Sequence, residues 1–248
     1  MLTRLDAEQL EVAIKAELTE KCVPGAALAI VRPDAPPYVG AFGVTYLHDG
    51  TAITDETLFR LGSNSKVLIA AVILQLAVEK RLELHVPVSQ YLNLPTRLGR
   101  ITLHQLLSHT SGLKDSEEVN LIGNKAELAE PVSAWTDRYC FTEPGEIYSY
   151  STLGFALALA TASAATQLPA QELLAQKLFH PLGMTATTLL PSWVNAAQLS
   201  VGHYLDDDGE LRNYPSLGDV EGVWPASAMV SNARDLACFL AALLNDGA

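Results

Sequence analysis

The hydrophobic positions at the start of the chain recur with a helical period. Leu10, Ile14 and Leu18 fall four residues apart, Asp6 with Gln9 reads as a capping box, and Pro24-Gly25 predicts the helix end. Two strand-like runs follow, Gly25–Val31 and Tyr38–Tyr46, separated by turn residues over Arg32–Pro37. Leu58–Gly62 then leads into a predicted helix from Ser63 to Lys80. Its stretch Val67–Leu74 is apolar on every face, the pattern of a helix buried all round. Further helices are predicted over Ile101–Leu107, Leu153–Ala165, Ala170–Phe179 and Asn232–Asn245. In the last, Leu236, Phe239, Leu240 and Leu243 form the apolar face and Gly247 the stop. The segment Asp115–Pro144 shows no dominant period. The pattern thus divides the chain into residues 1–62, a helix with a hairpin, and residues 63–248, a mostly helical domain carrying the Ser63 helix. A lone two-stranded hairpin is marginal in water. Something must complete that sheet, and the rest of the sequence offers no obvious strand.

Composition narrows the classes of function. The 248 residues are 49% apolar and 18% charged, a globular balance. A chain of this length buries roughly 70–75% of the surface that its unfolded form exposes. The net charge of −12 and the isoelectric point near 4.8 argue against nucleic acid and anionic membrane surfaces as partners. Three widely spaced cysteines, Cys22, Cys140 and Cys238, suggest neither a disulfide framework nor a zinc site. The six histidines show no metal-ligand spacing. No metal or organic cofactor is expected. No signal segment is legible at the start, so the chain reads as cytoplasmic as given, or as periplasmic or secreted if a signal has been removed.

The chemistry concentrates at Ser63-Asn64-Ser65-Lys66. A serine hydroxyl needs a neighbouring base to become a nucleophile. Residues i and i+3 of a helix share a face, which puts the Lys66 amine beside the Ser63 hydroxyl. Burial disfavours the charged form of an amine, and only the neutral form can act as a base. The N–H groups at the helix start, that of Ser63 included, are placed to stabilise an oxyanion. Against this, S-x-x-K is short enough to arise by chance, and a second copy stands at Ser111-Gly112-Leu113-Lys114. That copy carries a glycine and a loop-like context, so no helical turn aligns its ends. On spacing alone, a chance match stays open for both.

Several segments in order carry a resemblance. Asp55–Lys66 resembles the nucleophile segment of the superfamily of class C beta-lactamases, DD-peptidases and family VIII esterases. Ile101–Leu113, with its Leu-Leu-Ser-His-Thr-Ser-Gly, is similar to that superfamily's internal signature. Pro144–Phe155 resembles its second catalytic segment, and His180–Met184 and Pro225–Leu240 match in order and spacing. The resemblance implies an α+β fold of the beta-lactamase/transpeptidase type, a helical domain beside an antiparallel sheet, here without the C-terminal sheet strands. It implies Ser63 as acyl-forming nucleophile, Lys66 as its partner and Tyr150 as general base or proton shuttle. The substrate-binding asparagine of the usual Tyr-x-Asn is replaced by Thr152. A hydroxyl lacks the amide's paired donor and acceptor, which puts amide recognition in doubt, although the branch resembling the mitochondrial beta-lactamase-like serine protease also carries Tyr-Ser-Thr. Tyr91-Leu92-Asn93 is expected to be a decoy. A triad through His109 is an alternative, but in the family this histidine is structural.

The family's third motif, Lys-Thr-Gly or His-x-Gly on a sheet strand, is expected after the helix Asn232–Asn245, and the sequence as given holds none there. Loss of one oxyanion donor costs roughly 2.7–4 kcal/mol, so weak activity at best is expected of the chain as given. The expected function is a serine hydrolase that forms an acyl-enzyme on Ser63 and acts on esters, D-amino-acid peptides or amides, or beta-lactams, with beta-lactams least favoured. The alternatives are a non-catalytic or truncated member, or a chain completed by a homo-oligomer or by a complementing C-terminal segment. The expected partner is a small-molecule or peptide substrate.

Overall fold

The computed structural model describes residues 4–46, 50–115, 132, 135–189, 194–213 and 229–245. The chain forms two compact units. One comprises Met1–Arg60, Leu182–Gly218 and Val230–Ala248, the other Leu61–Pro181 and Asp219–Met229. The first change of unit falls between Arg60 and Leu61. The later segments 182–218 and 230–248, expected to belong to the helical domain, group instead with the hairpin. For 230–248 the reason lies in the last helix, which packs on the first strand.

In the first unit, α1 (Arg4–Glu20) precedes an antiparallel hairpin of β1 (Gly25–Arg32) and β2 (Ala35–Gly43). Asp6 lies in the first turn of this helix rather than at its cap. The turn is also tighter than the expected Arg32–Pro37. Arg32 faces Ala35, and Pro36 and Pro37 lie within β2. Proline cannot donate to a ladder and fits an edge. The closing helix, labelled α7 below, packs against β1.

Two short pairings escaped the sequence pattern. β3 (Phe59–Arg60) pairs with β6 (Val230–Ser231), and β4 (His203–Leu205) pairs with β5 (Leu211–Asn213), all antiparallel. A cavity of about 1040 Å³ in this unit is lined by residues that include Arg60, His203 and Asn213. None of the expected site residues lines it.

The second unit is helical. Gly62–Asn64 makes one 3₁₀ turn and continues as α2 (Ser65–Val78). Then come α3 (Thr96–Arg100), α4 (Leu103–Leu107), α5 (Thr152–Thr166) and α6 (Ala170–Leu174), the last running into a π-helical turn over Ala175–Phe179. α5 packs against α2, α4 and α6. Leu68, Ile69, Val72, Ile73 and Leu76 of α2 are fully buried, with Leu103 and Leu106 of α4 and Leu157 and Leu159 of α5. Each such side chain contributes about 1.5–3 kcal/mol by leaving water. The alanines at 156, 158, 160 and 162 of α5 are fully buried as well. Small side chains on both sides of a helix let its neighbours approach closely.

α2 is not buried all round. Val67 and Leu74 are about half exposed and Val78 is 84% exposed. An apolar composition on every face does not fix which face is covered. The last helix, α7 (Ala233–Leu244), shows the same departure. Its buried positions are Ala233, Asp235, Ala237, Phe239 and Ala242, while Leu240 and Leu243 are exposed. Asn232 caps it, its Oδ1 accepting from Asp235 N–H at 2.8 Å. The Gly247 stop lies outside the described residues, as do most of Asp115–Pro144 and the start of Pro225–Leu240.

Among the described residues no single helix is long and apolar enough to cross a membrane. Thr152–Thr166 and Ala170–Phe179 reach the length and composition only as a pair bent by 84°.

Candidate active site

The site is built on three segments of the helical unit. Gly62 has φ of 53°, a left-handed value that glycine adopts at no steric cost. It turns the chain from β3 into the helix, and Ser63 emerges exposed at the helix start. One turn on, Lys66 is buried, 5% exposed. Its Nζ donates to Ser63 Oγ at 3.2 Å. The i and i+3 geometry expected from the sequence is therefore present.

The second segment runs from α4 to Asp115. A capping box starts α4. Thr102 Oγ1 accepts from Gln105 N–H at 3.2 Å, and Gln105 Oε1 accepts from Thr102 N–H at 2.9 Å. His109 ends the helix region with φ of 57°, a conformation that costs a non-glycine residue about 1–2 kcal/mol. Gly112 follows at φ of 72°. A Cβ there would stand 2.4 Å from the Thr142 carbonyl oxygen. Gly112→Ala therefore combines backbone strain with a main-chain clash and should destabilise the protein by at least about 2 kcal/mol, read as a fall in the urea midpoint.

The third segment carries Tyr150 and lies along the second. Gly145 N–H donates to Thr110 O at 2.7 Å, and Ser149 N–H donates to His109 O at 2.8 Å. Ser151 caps α5, its Oγ accepting from Gly154 N–H at 3.1 Å. Thr152 opens α5, and its N–H donates to Asp115 Oδ1 at 2.8 Å. A carboxylate is favoured at a helix N-terminus. These anchors bring the Tyr150 hydroxyl to 2.6 Å from Ser63 Oγ.

Ser63, Lys66 and Tyr150 thus converge, and a lysine and a phenol both reach one serine oxygen. Lys66 Nζ also lies 4.9 Å from the Tyr150 ring centroid and 5.9 Å from that of Phe155. Aromatic faces attract a cation at such distances. Burying an amine carries a desolvation cost, and the hydroxyl and ring faces offset part of it. Thr152 sits two residues from Tyr150, half-buried, with its main chain tied to Asp115.

Both decoys are engaged elsewhere. Ser111 is buried and its Oγ accepts from Leu113 N–H at 3.4 Å, while Lys114 N–H pairs with Tyr139 O. The Tyr91 hydroxyl accepts from Glu83 N–H at 3.1 Å.

His109 does not face Ser63 as a triad base would. Its Nδ1 accepts from Ser151 N–H at 3.1 Å, and its ring stacks on Tyr150 with centroids 4.4 Å apart. Burial lowers its pKa below the ordinary histidine value, the Lys66 charge lowers it further, and Asp115 opposes both. A depressed histidine pKa means that the unfolded chain takes up a proton first as pH falls. The associated stability is present above about pH 6.5 and is lost on acidification. The stability advantage of the wild type over His109→Asn should therefore shrink below that pH, measured as Tm against pH. Sequence reasoning missed this histidine's contacts, together with Phe155 and Asp115. The Leu-Leu-Ser-His-Thr-Ser-Gly run marked the place, but not what the ring touches. Among the described residues no cluster of three His, Cys, Asp or Glu side chains could hold a metal.

A helical unit with serine, lysine and tyrosine meeting at one helix start defines the class expected from the sequence. The Beta-lactamase family model matches residues 10–248, and the chain belongs to that family. It is 30% identical to penicillin-binding protein 4 of Amycolatopsis lactamdurans over 239 residues, 92% of this chain. It spans 61% of that relative's length. The D-alanine carboxypeptidase AmpC of Burkholderia cenocepacia superposes with a TM-score of 0.70 at 28% identity, covering 92% of this chain and 61% of the neighbour. The D-amino acid amidase of Ochrobactrum anthropi SV3 gives 0.82 at 24% identity, with 96% and 71% covered, a likeness of fold.

Proposed function

We propose that this protein is a serine hydrolase that works through an acyl-enzyme on Ser63. The observation that carries the reading is the Ser63 hydroxyl with Lys66 Nζ at 3.2 Å and the Tyr150 hydroxyl at 2.6 Å. Both distances suit proton transfer. In acylation Ser63 Oγ bonds to the substrate carbonyl carbon, and its proton passes to the Lys66–Tyr150 pair. The pair returns that proton to the leaving oxygen or nitrogen as the old bond breaks. Water then attacks the ester, the same pair takes the water's proton, and Ser63 Oγ recovers one as the acid departs. The Ser63 N–H, at the positive end of α2, is placed to stabilise the oxyanion.

The substrates proposed are esters and D-amino-acid peptides or amides, ahead of beta-lactams. Family membership and the names of the penicillin-binding and D-alanine carboxypeptidase relatives support the acyl class. Thr152 supports the order within it, since one hydroxyl cannot make an amide's two-sided contact. Incubation with a fluorophosphonate and peptide mapping by mass spectrometry tests the reaction class. An adduct on Ser63 is expected, and a clean Ser63 peptide would sink the assignment. Thr152→Asn should raise the rate of acylation by a penicillin relative to a simple ester by about tenfold, the size of one hydrogen bond. An unchanged ratio would remove Thr152 from substrate recognition.

A further inference from the structure

His109 holds three consecutive residues at once. Its carbonyl oxygen accepts from Ser149 N–H at 2.8 Å, its Nδ1 accepts from Ser151 N–H at 3.1 Å, and its ring lies on the Tyr150 ring at 4.4 Å with 28° between planes. Tyr148 packs edge-on against the same imidazole at 5.9 Å, and Phe155 lies 5.2 Å away. The backbone at His109 is left-handed, where glycine would be free of strain. A strained side chain kept beside reactive groups points to a task for that side chain.

We propose that His109 is the positioning residue of the Tyr150 hydroxyl, and that only its neutral imidazole can hold the segment in place. The kinetic consequence rests on the hydrolase reading; the clamp itself does not. A main-chain N–H can only donate, so Nδ1 must present a lone pair to Ser151 and the ring proton must sit on Nε2. Protonation of Nδ1 would set one donor against another. The 149–151 segment would then shift and carry the phenol away from Ser63. A misplacement of about 1 Å at a reacting group costs about a hundredfold in rate. The groups facing the imidazole are Lys66 from α2, Asp115 from the segment after Gly112, and the phenols of Tyr148 and Tyr150. Burial and Lys66 favour the neutral ring, and Asp115 favours the charged one.

The test is the rate at which a fluorophosphonate labels Ser63 between about pH 5 and about pH 9, with circular dichroism confirming folded protein. His109→Gly tolerates the left-handed backbone and removes ring and acceptor together. It should label about a hundredfold more slowly at neutral pH. His109→Asn also tolerates that backbone and puts Oδ1 where Nδ1 stood. It should recover at least about tenfold of the loss, and its acid limb should no longer carry the histidine midpoint seen in the wild type. A Gly variant as fast as wild type overturns the proposal. So does an Asn variant as slow as Gly with the wild-type acid limb. If the wild type itself takes no label, the hydrolase reading fails, and ¹⁵N NMR of the His109 ring decides the clamp alone. A bare Nδ1 with the proton on Nε2 sustains it, and a proton on Nδ1 at neutral pH overturns it.

Discussion

Ser63→Ala should abolish covalent labelling and reduce turnover of an activated ester by at least about 10⁴-fold, whereas Ser111→Ala should leave both within about threefold of wild type. The contrast matters because both serines begin an S-x-x-K. Ser63 stands exposed at the start of α2 with two protic side chains on its oxygen. Ser111 is buried in a loop, with its hydroxyl turned to Leu113 N–H. Removal of the proposed nucleophilic oxygen leaves whatever binding and oxyanion stabilisation provide, which in serine enzymes is a small residue of the full acceleration. Initial rates with a nitrophenyl ester and intact-mass spectra after fluorophosphonate treatment give the two readouts. Equal loss in both variants would mean that the S-x-x-K spacing had been assigned to the wrong chemistry. Retention of activity in Ser63→Ala would end the serine mechanism.

The proximity of Lys66 to Ser63 was legible because it depends on local geometry. Three residues of helix are enough to bring Lys66 to Ser63, and the sequence around them predicts that helix. Tyr150 is different, since no periodicity relates it to a serine 87 positions away. It was placed by resemblance, and the structure shows the means. Residues 109–114 run beside 139–151, joined by main-chain bonds at Thr110, Gly112 and Lys114. The pairs β3–β6 and β4–β5 were not legible, because strands of two or three residues carry no measurable alternation. The Asp206–Gly209 turn between β4 and β5 was the only local signal there. On α2 no polar stripe exists, so nothing in the sequence separates the covered Ile69 and Ile73 from the exposed Val67 and Leu74. The role of His109 was hidden for another reason. Its contacts run from ring and carbonyl to the main chain of residues 149 and 151, and such contacts leave no trace in the identity of the partners.

Lys66→Met and Tyr150→Phe should each reduce the rate of Ser63 labelling by about 10³-fold, and the double variant should lose no more than about tenfold beyond either one. In the proposed reaction the two groups serve one proton. Lys66 Nζ and the Tyr150 hydroxyl both reach Ser63 Oγ, and Nζ lies 4.9 Å from the centroid of the phenol ring. If one takes the serine proton and the other exchanges with it, loss of either stops the transfer and the second loss adds little. Independent contributions would multiply instead, to about 10⁶-fold. The substitutions keep size. Methionine fills the buried path of the lysine side chain, and phenylalanine keeps the ring on His109, so a collapsed fold does not mimic the effect. Stability by urea titration separates the two causes. Lys66→Met should not unfold the protein, because a buried amine carries a desolvation cost that an apolar side chain does not. A multiplicative double variant would show that lysine and tyrosine contribute independently to the attack by Ser63, and would end the shared-proton reading.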